Sequence, residues 1–190
     1  MLVIYLHGYG STPDSSKCIK MKDFFLKEFP SFSFIAPKIE YNSTVLEHLT
    51  NVLMKYRDKK IILIGSSIGG LFARYLTERS NFNIKATILI NPALKIFEAI
   101  ENSGIILENT DQISSLNQLI IEETIDEDKY LLLCQNNDDI CCWKFSRYLL
   151  PNSGFYLGHN SGHGFENIDI TFDAINSFIC KKLDNHCTSV

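Results

Sequence analysis

Six short apolar runs punctuate this chain: Leu2–Leu6, Ser33–Ala36, Ile61–Ile64, Ala86–Ile90, Tyr130–Cys134 and Phe155–Leu157. Most are continuous rather than alternating, so they read as strands covered on both faces. Between them the apolar residues fall at helical spacing. Residues 15–29 carry Ile19, Phe24, Phe25 and Phe29 ahead of Pro30. Behind Ser43, a candidate N-cap, Val45, Leu46, Leu49, Val52, Leu53 and Tyr56 form one stripe. Further helices are expected over 68–79, about 140–149 and 168–182. Strands alternating with helices predict parallel βα units. The expected fold is α/β, a doubly wound, mostly parallel sheet of about six strands with helices on both faces.

The rhythm breaks between Leu94 and Glu127. That segment is long, has acidic and Ser/Asn-rich patches, and carries Ile105, Ile106 and Leu107, then Leu119, Ile120 and Ile121. A small cap insertion over 94–127 is expected, above the carboxyl edge of the sheet where open α/β folds bind ligands. No internal repeat or low-complexity tract interrupts the chain. Asp184 to Val190 are expected to fray.

At 190 residues the chain fits a single domain, 1–190, with a core of useful size. A hydrophobic fraction of 45%, with 12% aromatic residues, argues against disorder. The net charge is −4, and the basic residues cluster no further than Lys59-Lys60 and Lys181-Lys182, so no nucleic-acid footprint is present. No run reaches membrane-spanning length. The N-terminus lacks the basic region and cleavage site of an export signal. The six cysteines, Cys18, Cys134, Cys141, Cys142, Cys180 and Cys187, therefore read as reduced thiols of a cytoplasmic protein. Their spacing matches no zinc site, and no metal or other cofactor is expected.

Candidate chemistry centres on Gly65-Ser66-Ser67-Ile68-Gly69, between the run ending at Ile64 and a helical pattern. Strand, G-x-S-x-G, helix is the form of a nucleophile elbow, in which Ser67 is pushed out of the sheet. A serine nucleophile needs oxyanion donors. The backbone N–H of Ile68, at a helix N-terminus, supplies one. The other is expected from Tyr9, in the glycine-rich turn His7-Gly8-Tyr9-Gly10. That turn is neither G-x-G-x-x-G nor a Walker A sequence, and His7 reads as a local hydrogen-bonding residue.

The acid and base should follow in chain order, each after a later strand. Behind Tyr130–Cys134 come Asp138 and Asp139; behind Phe155–Leu157 come His159 and His163. His163, flanked by Gly162 and Gly164, is the favoured base, since His159 lies close behind the strand. Asp138 is the favoured acid, with Asp139 placed as an N-cap for the helix starting near Ile140.

His7-Gly8-Tyr9-Gly10-Ser11, Gly65-Ser66-Ser67-Ile68-Gly69-Gly70, Asn91-Pro92-Ala93, Gln135-Asn136-Asn137-Asp138 and Gly162-His163-Gly164-Phe165 together resemble the small bacterial esterases of the YqiA/YcfP type. The resemblance spans nearly the whole chain. It implies an α/β-hydrolase fold and a serine esterase with Ser67, Asp138 and His163 as its triad. Two departures bear on the loops. Asn137 stands where that family usually has glycine, a position asparagine fills by tolerating left-handed backbone. The histidine loop reads Asn160-Ser161-Gly162-His163 in place of G-G-N-H. Region 94–127 matches no motif of the family.

The expected function is a carboxylesterase acting on small-molecule, short-chain acyl esters through an acyl-enzyme on Ser67. Acyl groups of about two to six carbons follow from a small cap whose apolar surface rewards each methylene only while the pocket lasts. The same triad also serves a thioesterase, an amidase or a peptidase, and a binding protein on a hydrolase scaffold is the non-catalytic alternative.

Overall fold

Six parallel strands run β1 (Leu2–Leu6), β2 (Ser33–Ile35), β3 (Ile61–Ser66), β4 (Ile84–Ile90), β5 (Tyr130–Gln135) and β6 (Gly154–Gly158), in the spatial order β2-β1-β3-β4-β5-β6. The computed structural model describes residues 1–106, 116–121 and 126–183. Every run expected to be a strand is one. β3 extends beyond Ile64 into the elbow, and β4 begins two residues before Ala86, where its register against β3 shifts at Ile61/Ile62.

The continuous apolar runs are explained by burial on both faces. Val3, Tyr5, Ile62, Ile64, Ile88 and Leu133 turn toward α1 (Ser16–Glu28) and the last helix, meeting Met21, Phe25, Ile175 and Ile179. Their alternate neighbours Leu2, Ile4, Leu6, Leu63, Leu89 and Leu132 turn the other way. There they pack with Leu49 and Leu53 of α2 (Val45–Met54) and with Leu71, Phe72 and Leu76 of α3 (Ile68–Arg79). Helices thus cover both faces, as right-handed parallel crossovers require. The chain leaves β1 toward β2 on one side and toward β3 on the other, so the strand order reverses between β1 and β3. Open α/β sheets bind ligands at such a crevice.

Three helix starts differ from expectation. α2 is opened by Asn42, whose Oδ1 accepts from Thr44 N–H at 3.0 Å and Thr44 Oγ1 at 2.8 Å; Ser43 caps nothing. The helix expected from about 140 starts at Trp143, as α5 (Trp143–Leu149), because residues 138–141 wrap around the Asp138 carboxylate. Asp139 is exposed and precedes no helix start, so it is not an N-cap. The helix expected from 168 begins as a 3₁₀ turn, Ile168–Thr171, and continues as α6 (Phe172–Lys182).

Within 94–127, α4 (Ile96–Ser103) ends at Gly104, whose φ of 70° suits a residue without Cβ. Leu119 and Ile121 are buried, whereas Ile106 and Ile120 are exposed. Leu107, and the tail from Asp184, lie outside the described residues. Cys18, Cys134, Cys141 and Cys142 are free thiols. Cys180 is disulfide-bonded, against the expectation of thiols throughout; the pairing depends on how the chain brings sulfurs together, which composition does not report. Among the described residues no helix is long and apolar enough to cross a membrane.

Candidate active site

Ser67 has φ 55° and ψ −123°, a region that non-glycine residues rarely occupy. The surrounding glycines explain how the chain holds it there. A Cβ on Gly65 would lie 2.3 Å from the Gly69 carbonyl oxygen, and one on Gly69 would lie 2.2 Å from that of Leu6. Both contacts are with backbone, which cannot yield. Strand β4 fixes the turn from the far side. Ser67 N–H donates to Ile90 O at 2.9 Å, and Ala93 N–H donates to Ser67 O at 3.0 Å. Pro92 closes on Gly70, where a Cβ would meet the proline Cβ at 2.8 Å. The Asn91-Pro92-Ala93 turn is therefore a brace for the elbow.

The loops after β5 and β6 bring a carboxylate and an imidazole to this serine. His163 Nε2 lies 2.9 Å from Ser67 Oγ, and its Nδ1 lies 3.0 and 2.9 Å from the two carboxylate oxygens of Asp138. Asp138 Oδ1 also accepts from Ile140 N–H at 2.9 Å and Cys141 N–H at 2.8 Å, and its side chain is fully buried. With its proton on Nδ1 toward this carboxylate, the imidazole presents Nε2 as an acceptor for the Ser67 hydroxyl. His159 is exposed, and the imidazole at Ser67 Oγ is that of His163.

The left-handed residues of the histidine loop are Asn160 (φ 65°), Gly162 (φ 56°) and Phe165 (φ 49°). Asn137 is not among them. It contributes instead through Oδ1, which accepts from Gly162 N–H at 3.3 Å and links the two loops.

His7 is buried, with Nδ1 2.9 Å from Gly8 O and Nε2 accepting from Ile39 N–H at 3.0 Å. A carbonyl on one nitrogen and an N–H on the other define the neutral tautomer. It is a brace for the Gly8–Tyr9 turn, whose carbonyl side also takes a bond from the Tyr41 hydroxyl to His7 O. Ile68 is the first residue of α3, a position whose N–H has no partner within the helix.

Two side chains escaped the sequence reading. Asn91 Nδ2 donates to both Gly162 O and His163 O at 3.0 Å, while its Oδ1 accepts from Gln135 N–H at 2.9 Å. One buried amide thus ties β4, β5 and the histidine loop together. Only its place in the Asn-Pro-Ala motif hinted at this. Lys17, on α1, donates to Ser66 Oγ at 3.0 Å, next to Ser67. Burial pushes its ammonium down to about 8, against the pull of Asp138 and Glu166.

Asp138, Cys141 and His163 offer ligand atoms within 4.8 Å of one another. The set suits a metal poorly. The carboxylate already serves two backbone donors and the imidazole, and burial pushes the Cys141 thiol upward, away from the thiolate a metal needs.

In front of Ser67 and His163 opens a cavity of about 810 Å³. Phe72, Ile96, Ile100, Leu116 and Leu119 line its apolar side, and Ile105 and Ile106 of the expected cap also reach it. Tyr9 and Tyr41, with ring centroids 5.9 Å apart, flank the entrance nearest the turn after β1.

Comparison with known proteins bears out the resemblance. Residues 2–180 match the uncharacterised protein family UPF0227, and the chain belongs to that family. Among solved structures it is similar to Est1E from Butyrivibrio proteoclasticus, with a TM-score of 0.75 and 14% identity over 97% of this chain and 88% of that one. It is similar also to a putative hydrolase from Agrobacterium vitis S4, at TM-score 0.73 and 18% identity, covering 94% and 87% of the two chains. The mouse α/β hydrolase domain-containing protein 10 superposes with a TM-score of 0.73 at 16% identity, over 95% and 90%. The fold is that of the α/β-hydrolases.

Proposed function

We propose that this protein is a serine carboxylesterase in which Ser67 is the nucleophile, His163 the general base and Asp138 the orienting acid. The reading rests above all on the continuous hydrogen-bond chain from Ser67 Oγ through both imidazole nitrogens to a buried carboxylate. In this reading Ser67 Oγ attacks the acyl carbon as its proton passes to His163 Nε2. The oxyanion is received by the N–H groups of Ile68 and Tyr9. His163 then protonates the leaving alcohol, and water, activated by the same imidazole, releases the acid. No metal or cofactor takes part. In this reading residues 1–190 act as one domain, with 94–127 as its cap, in a cytoplasmic enzyme.

The substrate is a small-molecule ester with a short acyl group of about two to six carbons, each methylene adding roughly 0.8 kcal/mol while it finds apolar wall. The rest of the cavity is left to the alcohol. Two measurements test this reading. A fluorophosphonate probe is expected to label Ser67 alone; labelling that survives Ser67→Ala, or maps to Ser66, defeats it. Matched esters, thioesters and amides of graded acyl length are expected to give the highest kcat/KM for short esters. A rate still rising at twelve carbons would replace the short-acyl reading with a long acyl channel, and a preference for thioesters or amides would reassign the reaction.

A further inference from the structure

The wall of the cavity bears on which esters reach Ser67. Its volume of about 810 Å³ is near the upper end of the ~300–1,000 Å³ usual for small-molecule sites, well beyond what a six-carbon acyl group fills. The apolar side is formed by α3, α4 and residues 116–119. The opposite side, from the start of α2, is polar: Asn42, Ser43, Glu47 and Asn51 stand at its exposed rim.

Among the described lining residues Glu47 is the one acid, and none is lysine or arginine. The sequence extends the point. From Ile39 to Met54, and again from Ile96 to Asp126, there is no Lys or Arg, so all 18 basic residues lie elsewhere. The second stretch holds seven acids (at 98, 101, 108, 111, 122, 123 and 126), which exceeds the whole chain's net charge of −4. Of these, Glu98 and Glu101 lie on α4, the helix that brings Ile96 and Ile100 to the apolar wall. An anionic group entering this cavity would leave water without meeting a lysine or arginine among the described lining residues, and would do so beside the Glu47 carboxylate.

We propose that the cavity admits uncharged or cationic esters and rejects anionic ones, including esters that carry phosphate, with Glu47 as the specificity-determining residue at its rim. The inference rests on Ser67 being the nucleophile of an ester hydrolase. A carboxylate at an exposed rim acts through nearly aqueous surroundings. At about 7 Å it is worth roughly a threefold change in kcat/KM per unit charge, and the effect fades as salt shortens the Debye length to about 3 Å at 1 M. Loss of hydration in the apolar part penalises either charge, and a strongly hydrated anion such as a sulfonate more than a weakly hydrated quaternary ammonium.

The test uses three butyrates of one acyl group and similar bulk: choline butyrate (cationic), 3,3-dimethylbutyl butyrate (neutral) and 3-sulfopropyl butyrate (anionic). At low salt the wild-type protein is expected to turn over the anionic ester with a kcat/KM at least about tenfold below the neutral one, and the cationic ester at least as well as the neutral one. Glu47→Gln is expected to bring the cationic and neutral values together. Glu47→Lys is expected to raise the anionic value about threefold or more and lower the cationic one, with the difference shrinking at 1 M salt. Neutral and anionic esters hydrolysed within twofold of each other would overturn the inference while leaving the hydrolase reading intact. An anionic-to-cationic ratio unmoved by Glu47→Lys would remove Glu47 from the role. Turnover of all three no faster than by Ser67→Ala would overturn the hydrolase reading, and this inference with it.

Discussion

At the elbow a Cβ on Gly69 would sit 2.2 Å from a backbone oxygen, whereas on the cover Ile106 keeps 86% of its surface exposed. The two regions face each other across one cavity, yet they are built by different rules. Around Ser67 the constraints are backbone against backbone: glycines at 65 and 69, a proline against Gly70, and two main-chain bonds from the β4 side. On the cover they are side chains against side chains, some buried as deeply as Leu119 and others turned outward. A chemistry-bearing turn tolerates almost no substitution. A substrate wall tolerates many, each altering preference more than folding.

Five substitutions test that contrast. Gly69→Ala is expected to have the largest effect, since the added methyl overlaps the Leu6 and His7 carbonyls. No cooperative unfolding transition should remain by circular dichroism; a folded, active Gly69→Ala protein would break the picture of a backbone-locked elbow. Asp138→Asn should leave the fold intact while lowering kcat by about 10⁴-fold, the loss seen when the equivalent serine-protease aspartate is changed. Asp139→Asn, at an exposed position, should stay within the ±0.5 kcal/mol usual for surface changes. Equal losses at the two positions would leave the acid unassigned.

Asn91→Asp comes next. It keeps the shape and tolerates the φ of 40° but replaces the donor to Gly162 O and His163 O with a second acceptor. Displacement of the histidine loop by a fraction of an ångström is expected to cost about ten- to a hundredfold in kcat with little change in KM. The low-field Nδ1–H resonance of His163 is expected to broaden or shift. An unchanged resonance and kcat would reduce Asn91 to packing. The smallest effect is expected on the cover. Ile106→Ser should change melting temperature negligibly and lower kcat/KM for apolar esters by only a fewfold, because a side chain so exposed gives up little contact. A collapse in stability there would show that the cover is as constrained as the elbow.

The candidate residues were legible because each is tied to a local pattern. Strand, G-x-S-x-G, helix requires Ser67 at its centre, and chain order directs the search for partners to the loops after β5 and β6. Asp138 and Asp139 are neighbours of the same type, so local pattern could not separate them by contact. The fold did, by wrapping Ile140 and Cys141 N–H around one carboxylate and leaving the other in water. The same wrapping delays α5 to Trp143, which periodicity alone could not report.

By itself the sequence determined what depends on neighbours along the chain. Apolar runs set six strands, glycine spacing set the elbow, and residue order pointed to the loops after β5 and β6. The absence of basic residues over 39–54 and 96–126 was also written there, though its meaning was not. Only the tertiary structure decided what depends on approach between distant segments. Asn91 became a tie because β4 ends between β5 and the histidine loop, 71 and 72 residues further on. Lys17 came to donate to Ser66, 49 residues away, beside the candidate serine. α2 and α4, one from each stretch without basic residues, came to line one cavity because both pack on the same face of the sheet as α3. Local sterics act over a few residues and leave a readable motif, whereas long-range contacts are fixed by packing and leave none.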